Sequence, residues 1–77
     1  MKIRVGKKSD RMIEMIEQFQ TPVYLILEDG TSRILNRDEE SLALFRHFVK
    51  SGGNQEVELK FSDPIESRQM LSFMVNM

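Results

Sequence analysis

The stretch Pro22 to Asn36, PVYLILEDGTSRILN, decides the fold because it combines two strand patterns with a turn signal between them. Val23 to Leu27 is an unbroken run of β-branched, aromatic and other apolar residues, which is typical of a β-strand. Asp29 and Gly30 follow this run, and an Asp-Gly pair between two strands favours a two-residue turn of type I′. The stretch therefore predicts an antiparallel hairpin.

The predicted turn also sets the register, with Leu25 opposite Ile34 and Tyr24 opposite Leu35. Side chains alternate across a strand, so the register divides the hairpin into two faces. The first face is apolar and belongs to the core: Val23, Leu25, Leu27 and Ile34. The second face is mixed: Tyr24, Ile26, Arg33 and Leu35. Since its three apolar residues adjoin one another, we expect another element or another chain to cover this second face.

Length and cysteine content narrow the class of protein. A chain of 77 residues allows one small α+β domain over residues 1–77, and domains of this size often gain stability from self-association. The absence of cysteine excludes a disulfide framework and a thiolate metal site. It fits a reducing compartment, so we predict a cytoplasmic location.

Charge and hydropathy argue against two classes of binding partner. The 11 Lys and Arg residues are balanced by 12 Asp and Glu residues, so there is no overall positive field to attract nucleic acid or an anionic membrane. The N-terminal segment MKIRVGKK lacks the apolar core of a signal peptide. No window approaches the roughly 20 apolar residues of a membrane span. We therefore predict a soluble protein without a membrane partner.

Two elements are predicted before the hairpin. Residues 1–6 alternate basic and apolar side chains, which indicates a short strand. Ser9 is a typical N-cap, and apolar residues then recur at helical spacing as far as Phe19. Proline disfavours helical geometry in the residue before it, so the helix should end ahead of Pro22.

A second helix and a strand are predicted after the hairpin. Asn36 and Glu39 have the spacing of a capping box, and Ser51-Gly52-Gly53 is a typical helix stop. Between them, the apolar side of the helix is formed by Leu42, Phe45, Phe48 and Val49. Gln55 to Ser62 alternates apolar and charged residues, which predicts a strand with one buried side.

A third helix is predicted at the C-terminus. Asp63 as N-cap, Pro64 at the first helical position and Glu66 three residues after the cap form a specific start signal. The second half of this helix is apolar around most of its circumference: Met70, Leu71, Phe73, Met74, Val75 and Met77. A helix of this kind requires burial on two sides.

The order strand, helix, two strands, helix, strand, helix predicts an α+β two-layer sandwich. Its sheet would be antiparallel with about four strands, and the βαββαβ part resembles the ferredoxin-like topology with an extra C-terminal helix. The ferredoxin-like order would place the apolar second strand at a sheet edge, where it would be an aggregation hazard. We therefore keep three alternatives: the last helix covers the free face, a second copy pairs with the edge, or the strand order is different.

The excess of apolar surface leads to the main functional hypothesis. We expect a small non-enzymatic protein-interaction module, of the adaptor or inhibitor type, that binds a protein partner or forms a homodimer. Methionine side chains adapt to irregular partners, which favours the last helix as part of the contact. The predicted partner-binding residues are Tyr24, Ile26, Leu35, Met70, Phe73, Met74 and Met77.

Single-stranded RNA or DNA binding is the alternative hypothesis. Bases stack on aromatic residues of exposed sheets, and a face with one aromatic among basic residues has this chemistry. The residues concerned are Lys2, Arg4, Tyr24 and Arg33. A single aromatic is fewer than such platforms use, so this hypothesis ranks second.

No residue pattern indicates catalysis, a metal or a cofactor. His47 is the single histidine, and it lies near a helix C-terminus, where an imidazolium is favourable without any catalytic role. The run Asp38-Glu39-Glu40 is explained by helix capping and the helix dipole. We therefore expect no enzymatic activity, no cofactor and no metal site.

Overall fold

A computed structural model of the chain describes residues 1–6, 9–51 and 55–75. Within these ranges it has an α+β architecture with the predicted order of elements, including the extra C-terminal helix. The glycine stop predicted at residues 52 and 53 lies outside the described residues. The elements are β1 (Lys2–Val5), α1 (Asp10–Gln18), β2 (Val23–Ile26), β3 (Ser32–Ile34), α2 (Glu39–Ser51), β4 (Gln55–Phe61) and α3 (Pro64–Val75).

The four strands form one sheet in the order β1-β4-β2-β3, and all neighbouring strands are antiparallel. This order differs from the ferredoxin-like order, in which the first and third strands are central. The central strands here are β4 and β2, so the most apolar strand has a neighbour on both sides. The third alternative, a different strand order, is therefore the one observed. Because β2 lies between β4 and β3, it does not form the apolar sheet edge that could cause aggregation.

The hairpin turn contains three residues, not the predicted two. The amide of Leu27 donates to the carbonyl of Thr31 at 2.7 Å, and the amide of Gly30 donates to the carbonyl of Leu27 at 3.0 Å. Gly30 has a φ angle of +88°, whereas no other type of residue in the described ranges has a positive φ. A type I′ turn needs positive φ at both central residues, so Asp29 cannot form one.

The side chain of Asp29 explains the preference for the longer turn. Its carboxylate accepts hydrogen bonds from the Thr31 amide at 3.0 Å and from the Thr31 hydroxyl at 2.6 Å. These bonds close the turn around Asp29 and leave Gly30 as the residue with left-handed geometry. They also lower the pKa of Asp29, with the Thr31 hydroxyl as the main cause.

The extra turn residue shifts the register by one position and exchanges the faces of β3. Tyr24 lies opposite Ile34, and Leu25 lies opposite Arg33. The predicted placements of Ile34, Arg33 and Leu35 were therefore wrong. Leu35 is buried in the core at 1% exposure, and Ile34 lies on the opposite face. A one-residue slip reverses every side chain of a strand, which is why one turn residue has this effect.

The helix starts agree with the predicted positions for α1 and α3 but not for α2. Ser9 is the N-cap of α1, although its hydroxyl accepts from the Gly6 amide instead of capping the helix. Asp63 caps α3 by accepting from the Ile65 amide at 2.9 Å. Helix α2 is capped by Asp38, whose carboxylate accepts from the Glu40 amide at 3.2 Å and the Ser41 hydroxyl at 2.7 Å.

The core lies between the three helices and one face of the sheet. All three helices contribute to it, and every strand residue in it belongs to the same face. On the opposite face, no strand residue of the described ranges is buried. The core residues are Ile3, Val5, Met12, Ile13, Ile16, Phe19, Val23, Leu35, Phe45, Val49, Leu59 and Met70.

Helix α3 packs against α1 and β4 on the core side of the sheet. It places Met70 in the core with no exposed surface. The alternative in which the last helix covers the opposite sheet face is therefore wrong. In the described part of the chain, no helix combines the length and apolar composition needed to cross a membrane.

Candidate interaction surfaces

The sheet face opposite the described helices, called the uncovered face below, has an apolar half and a charged half. Tyr24, Ile26 and Ile34 are half-buried and lie together on β2 and β3. On β1 and β4, Lys2 lies opposite Glu58 and Arg4 lies opposite Glu56, whereas Lys60 of β4 lies opposite Tyr24. Opposite charges on neighbouring strands favour the pairing of the strands. Ile34, which was expected in the core, thus takes the place predicted for Leu35.

The four residues of the predicted nucleic-acid surface do not all lie together. Lys2, Arg4 and Tyr24 share the uncovered face, whereas Arg33 shares the core-side face with Leu25. The register also sets a glutamate directly across from Lys2 and from Arg4. This arrangement weakens the positive field that phosphate binding requires.

A groove of about 610 Å³ opens between α2 and the hairpin end of the sheet. Its floor includes the buried residues Leu35 and Phe45. Leu27, Leu44 and Phe48 line it and remain 36%, 51% and 40% exposed, respectively. Exposed apolar side chains that adjoin one another are characteristic of binding surfaces, whereas isolated ones are common on any protein.

The rim of the groove carries charges of both signs. Glu28, Glu56 and Glu58 line it together with Lys2 and Arg33. The acidic side chains outnumber the basic ones, so the rim does not attract phosphate groups. The groove was not predicted from the sequence, although Leu44 and Phe48 are four residues apart and so fall on one side of α2.

The predicted partner-binding residues are divided between the surface and the core. Leu35 and Met70 are buried, so these two predictions need correction. Phe73 and Met74 are half-buried and pack against the core, and Met77 lies outside the described residues. Tyr24 and Ile26 lie on the uncovered sheet face, as predicted. The most exposed apolar residues of α3 are Ile65, Leu71 and Val75.

The connection between α1 and β2 is held by polar side chains from distant parts of the chain. The Asn36 amide nitrogen donates to the carbonyls of Thr21 at 2.8 Å and Phe19 at 3.4 Å, and its oxygen accepts from the Val23 amide at 3.0 Å. The Arg37 guanidinium donates to the Gln20 carbonyl. Asn36 therefore bridges two segments of backbone and is not the predicted helix cap.

Glu66 completes this network from the first turn of α3. Its carboxylate accepts from the Gln20 amide at 2.7 Å, from the Thr21 amide at 3.1 Å and from the Thr21 hydroxyl. Burial by itself would raise the pKa of Glu66, but the Thr21 and Gln20 hydrogen bonds and the charge of Arg37 outweigh it and lower the pKa. The glutamate predicted to complete a capping box thus joins α3 to another segment.

In the described ranges, no three His, Asp or Glu side chains lie close enough to hold a metal ion. His47 is exposed on α2. Asp38 acts as the helix cap described above, which agrees with the interpretation of the acidic run as a helix start.

Comparisons of the chain with protein-family models, with curated proteins and with solved structures found no match.

Proposed function

We propose that the chain is a two-layer α+β domain that acts as a small non-enzymatic protein-interaction module of the adaptor or inhibitor type. We further propose that it works as a homodimer. The observation that carries the proposal is the groove beside α2, which is lined by the partly exposed apolar side chains of Leu27, Leu44 and Phe48. Burial of such side chains against a partner removes this surface from water and drives association.

A second copy of the chain is the occupant that best fits this surface. Leu44 and Phe48 form an apolar stripe along α2, and a twofold axis can place one stripe on the same stripe of the partner. The acidic first turn of α2 contains Glu39 and Glu40, and its last turn contains Lys50. In an antiparallel arrangement, each acidic turn approaches the basic end of the other helix, and the two helix dipoles are also favourably aligned.

Light scattering at micromolar concentration tests the proposal with two matched variants. The chain has a mass of 9.0 kDa, so a dimer has twice that mass. We expect Leu44→Glu to be a monomer because it places a charge in the centre of the contact. Ala43→Glu is the control, because Ala43 is the exposed residue directly before Leu44 on the same helix, and this substitution adds the same charge. It should remain a dimer.

A monomeric wild-type chain would show that the homodimer is wrong. In that case, the same variants test a different protein partner by affinity capture. Loss of a captured protein with Leu44→Glu and its retention with Ala43→Glu would place that partner on the groove. Equal capture by both variants would exclude the groove as the binding surface.

A further inference from the structure

The buried carboxylate of Glu66 attaches helix α3 to the α1–β2 connection, and the Ser62 hydroxyl, just before the helix, donates to the Pro22 carbonyl of the same connection at 2.7 Å. Glu66 is 8% exposed and accepts three hydrogen bonds, two from backbone amides and one from a hydroxyl. All three donors belong to Gln20 and Thr21, which are more than 40 residues away in sequence. A carboxylate that accepts several hydrogen bonds is held in its charged form.

Charged groups near Glu66 also affect its ionisation. The Arg37 guanidinium, from the connection between β3 and α2, favours the ionised form. The α1–β2 connection presents its amides and the Thr21 hydroxyl to the carboxylate. Directly before α3, the Asp63 carboxylate accepts from the Ile65 amide, and on α3 itself Arg68 is exposed.

We infer that ionised Glu66 is an acid-sensitive latch for helix α3, which releases the first turn of α3 from residues 20–21 when it is protonated. Protonation removes the charge that strengthens all three hydrogen bonds and turns one acceptor oxygen into a donor. The amides of Gln20 and Thr21 cannot pair with that donor. The inference is independent of the proposed homodimer, because it concerns contacts within one chain.

The direction of the pH effect follows from the lowered pKa. Glutamate in an unfolded chain has a pKa of about 4.3, and the folded chain holds Glu66 below its ordinary value. The latch therefore stabilises the folded state fully above about pH 4.3, and this contribution is lost as the pH falls through the folded pKa. The latch should open only in acid.

Amide NMR spectra recorded from pH 7 to pH 3 test the latch at the hydrogen bonds themselves. We expect the Gln20 and Thr21 amide signals to titrate together, with a midpoint below about pH 4.3. The Val23 amide is the internal control, because it donates to the neutral Asn36 side chain in the same network. Its signal should not follow the titration.

Hydrogen exchange of the α3 amides reports whether the latch also holds the helix. Over the same pH range, protection of the first turn of α3 should fall by about tenfold for each unit between the folded and unfolded pKa values of Glu66. Asp63→Asn is the matched control, since it removes another carboxylate from the same helix and keeps a good N-cap. It should leave both effects in place.

Two variants make the inference falsifiable even if one of them does not fold. Glu66→Gln should abolish the titration of the Gln20 and Thr21 signals. Thr21→Val keeps the carboxylate and removes one donor, so it should move the midpoint upward towards about pH 4.3. Titration that persists in Glu66→Gln, a midpoint unchanged in Thr21→Val, or α3 protection that does not change with pH would each overturn the latch.

Discussion

Asn36 offers the sharpest test of the tertiary structure, because the sequence and the structure assign it different roles. The capping-box pattern makes it the N-cap of the second helix, whereas the structure uses it as a bridge between the ends of α1 and β2. Alanine at this position would remove the side chain in either case. The size of the effect and a second substitution distinguish the two roles.

The loss in free energy of unfolding expected for Asn36→Ala follows from the hydrogen bonds of the Asn36 side chain. The Val23 amide belongs to a fully buried residue and would lose its acceptor, and the Thr21 carbonyl would lose its 2.8 Å donor. An unsatisfied buried polar group costs about 1–3 kcal/mol. The 3.4 Å contact with Phe19 adds little. Thr21 is only half-buried, so its carbonyl contributes about 1 kcal/mol, and we expect a total loss of about 2–4 kcal/mol from a free energy of unfolding on the order of 5 kcal/mol.

Urea denaturation followed by circular dichroism measures this loss. With a slope of about 1 kcal/mol per molar urea, the midpoint should fall by about 2 M or more. Gln20→Ala is a suitable control, because that side chain is exposed and the backbone of Gln20 makes the bonds described above. Its midpoint should stay within about 0.5 M of the wild type.

Asn36→Asp separates a bridge from a cap. Aspartate is as good an N-cap as asparagine, so a capping role predicts almost no change. In the bridge, the carboxylate has no donor for the Thr21 carbonyl and lies against it, so the bridge predicts a loss of at least about 1 kcal/mol. An aspartate variant as stable as the wild type would refute the bridging role.

Two further predictions concern the turn and the core. Gly30→Ala should destabilise the chain by about 1–2 kcal/mol because of its φ of +88° alone, since an added Cβ meets no atom within 4 Å; thermal unfolding measures it, and an unchanged midpoint would contradict the three-residue turn. Met70→Ala should cost about 2–5 kcal/mol, whereas Leu71→Ala, at a position 53% exposed, should change stability by less than about 1 kcal/mol; equal losses in chemical denaturation would show that α3 is packed differently.

The elements of the fold were predictable because their signals are local. Alternation at residues 55–62, helical spacing after Ser9 and the Asp63-Pro64 start each act within one turn or one strand, and the structure confirms these elements. The alternatives for the strand order were also visible, since an apolar second strand conflicts with an edge position. The choice among these alternatives could not be predicted from the sequence, because strand neighbours are decided by contacts between segments that are distant in sequence.

The candidate surfaces were predicted less well, for two physical reasons. One additional turn residue reverses the two faces of β3 relative to the prediction. Leu35 therefore lies in the core, and Ile34 lies on the opposite face of the sheet. The groove depends on how far α2 lies from the hairpin end of the sheet, and no local pattern contains that distance. Tyr24 and Ile26 were placed correctly because the alternation of side chains along β2 does not depend on the length of the turn.

For residues 22–36, the sequence by itself determined that they form a hairpin, since strand propensity and the Asp-Gly pair are local properties. Only the tertiary structure decided the length of the turn, because the bonds from Thr31 to Asp29 outweigh the preference for type I′. It likewise decided which residues of the hairpin face the helices. Register is a property of two strands and their packing, and one strand cannot specify it.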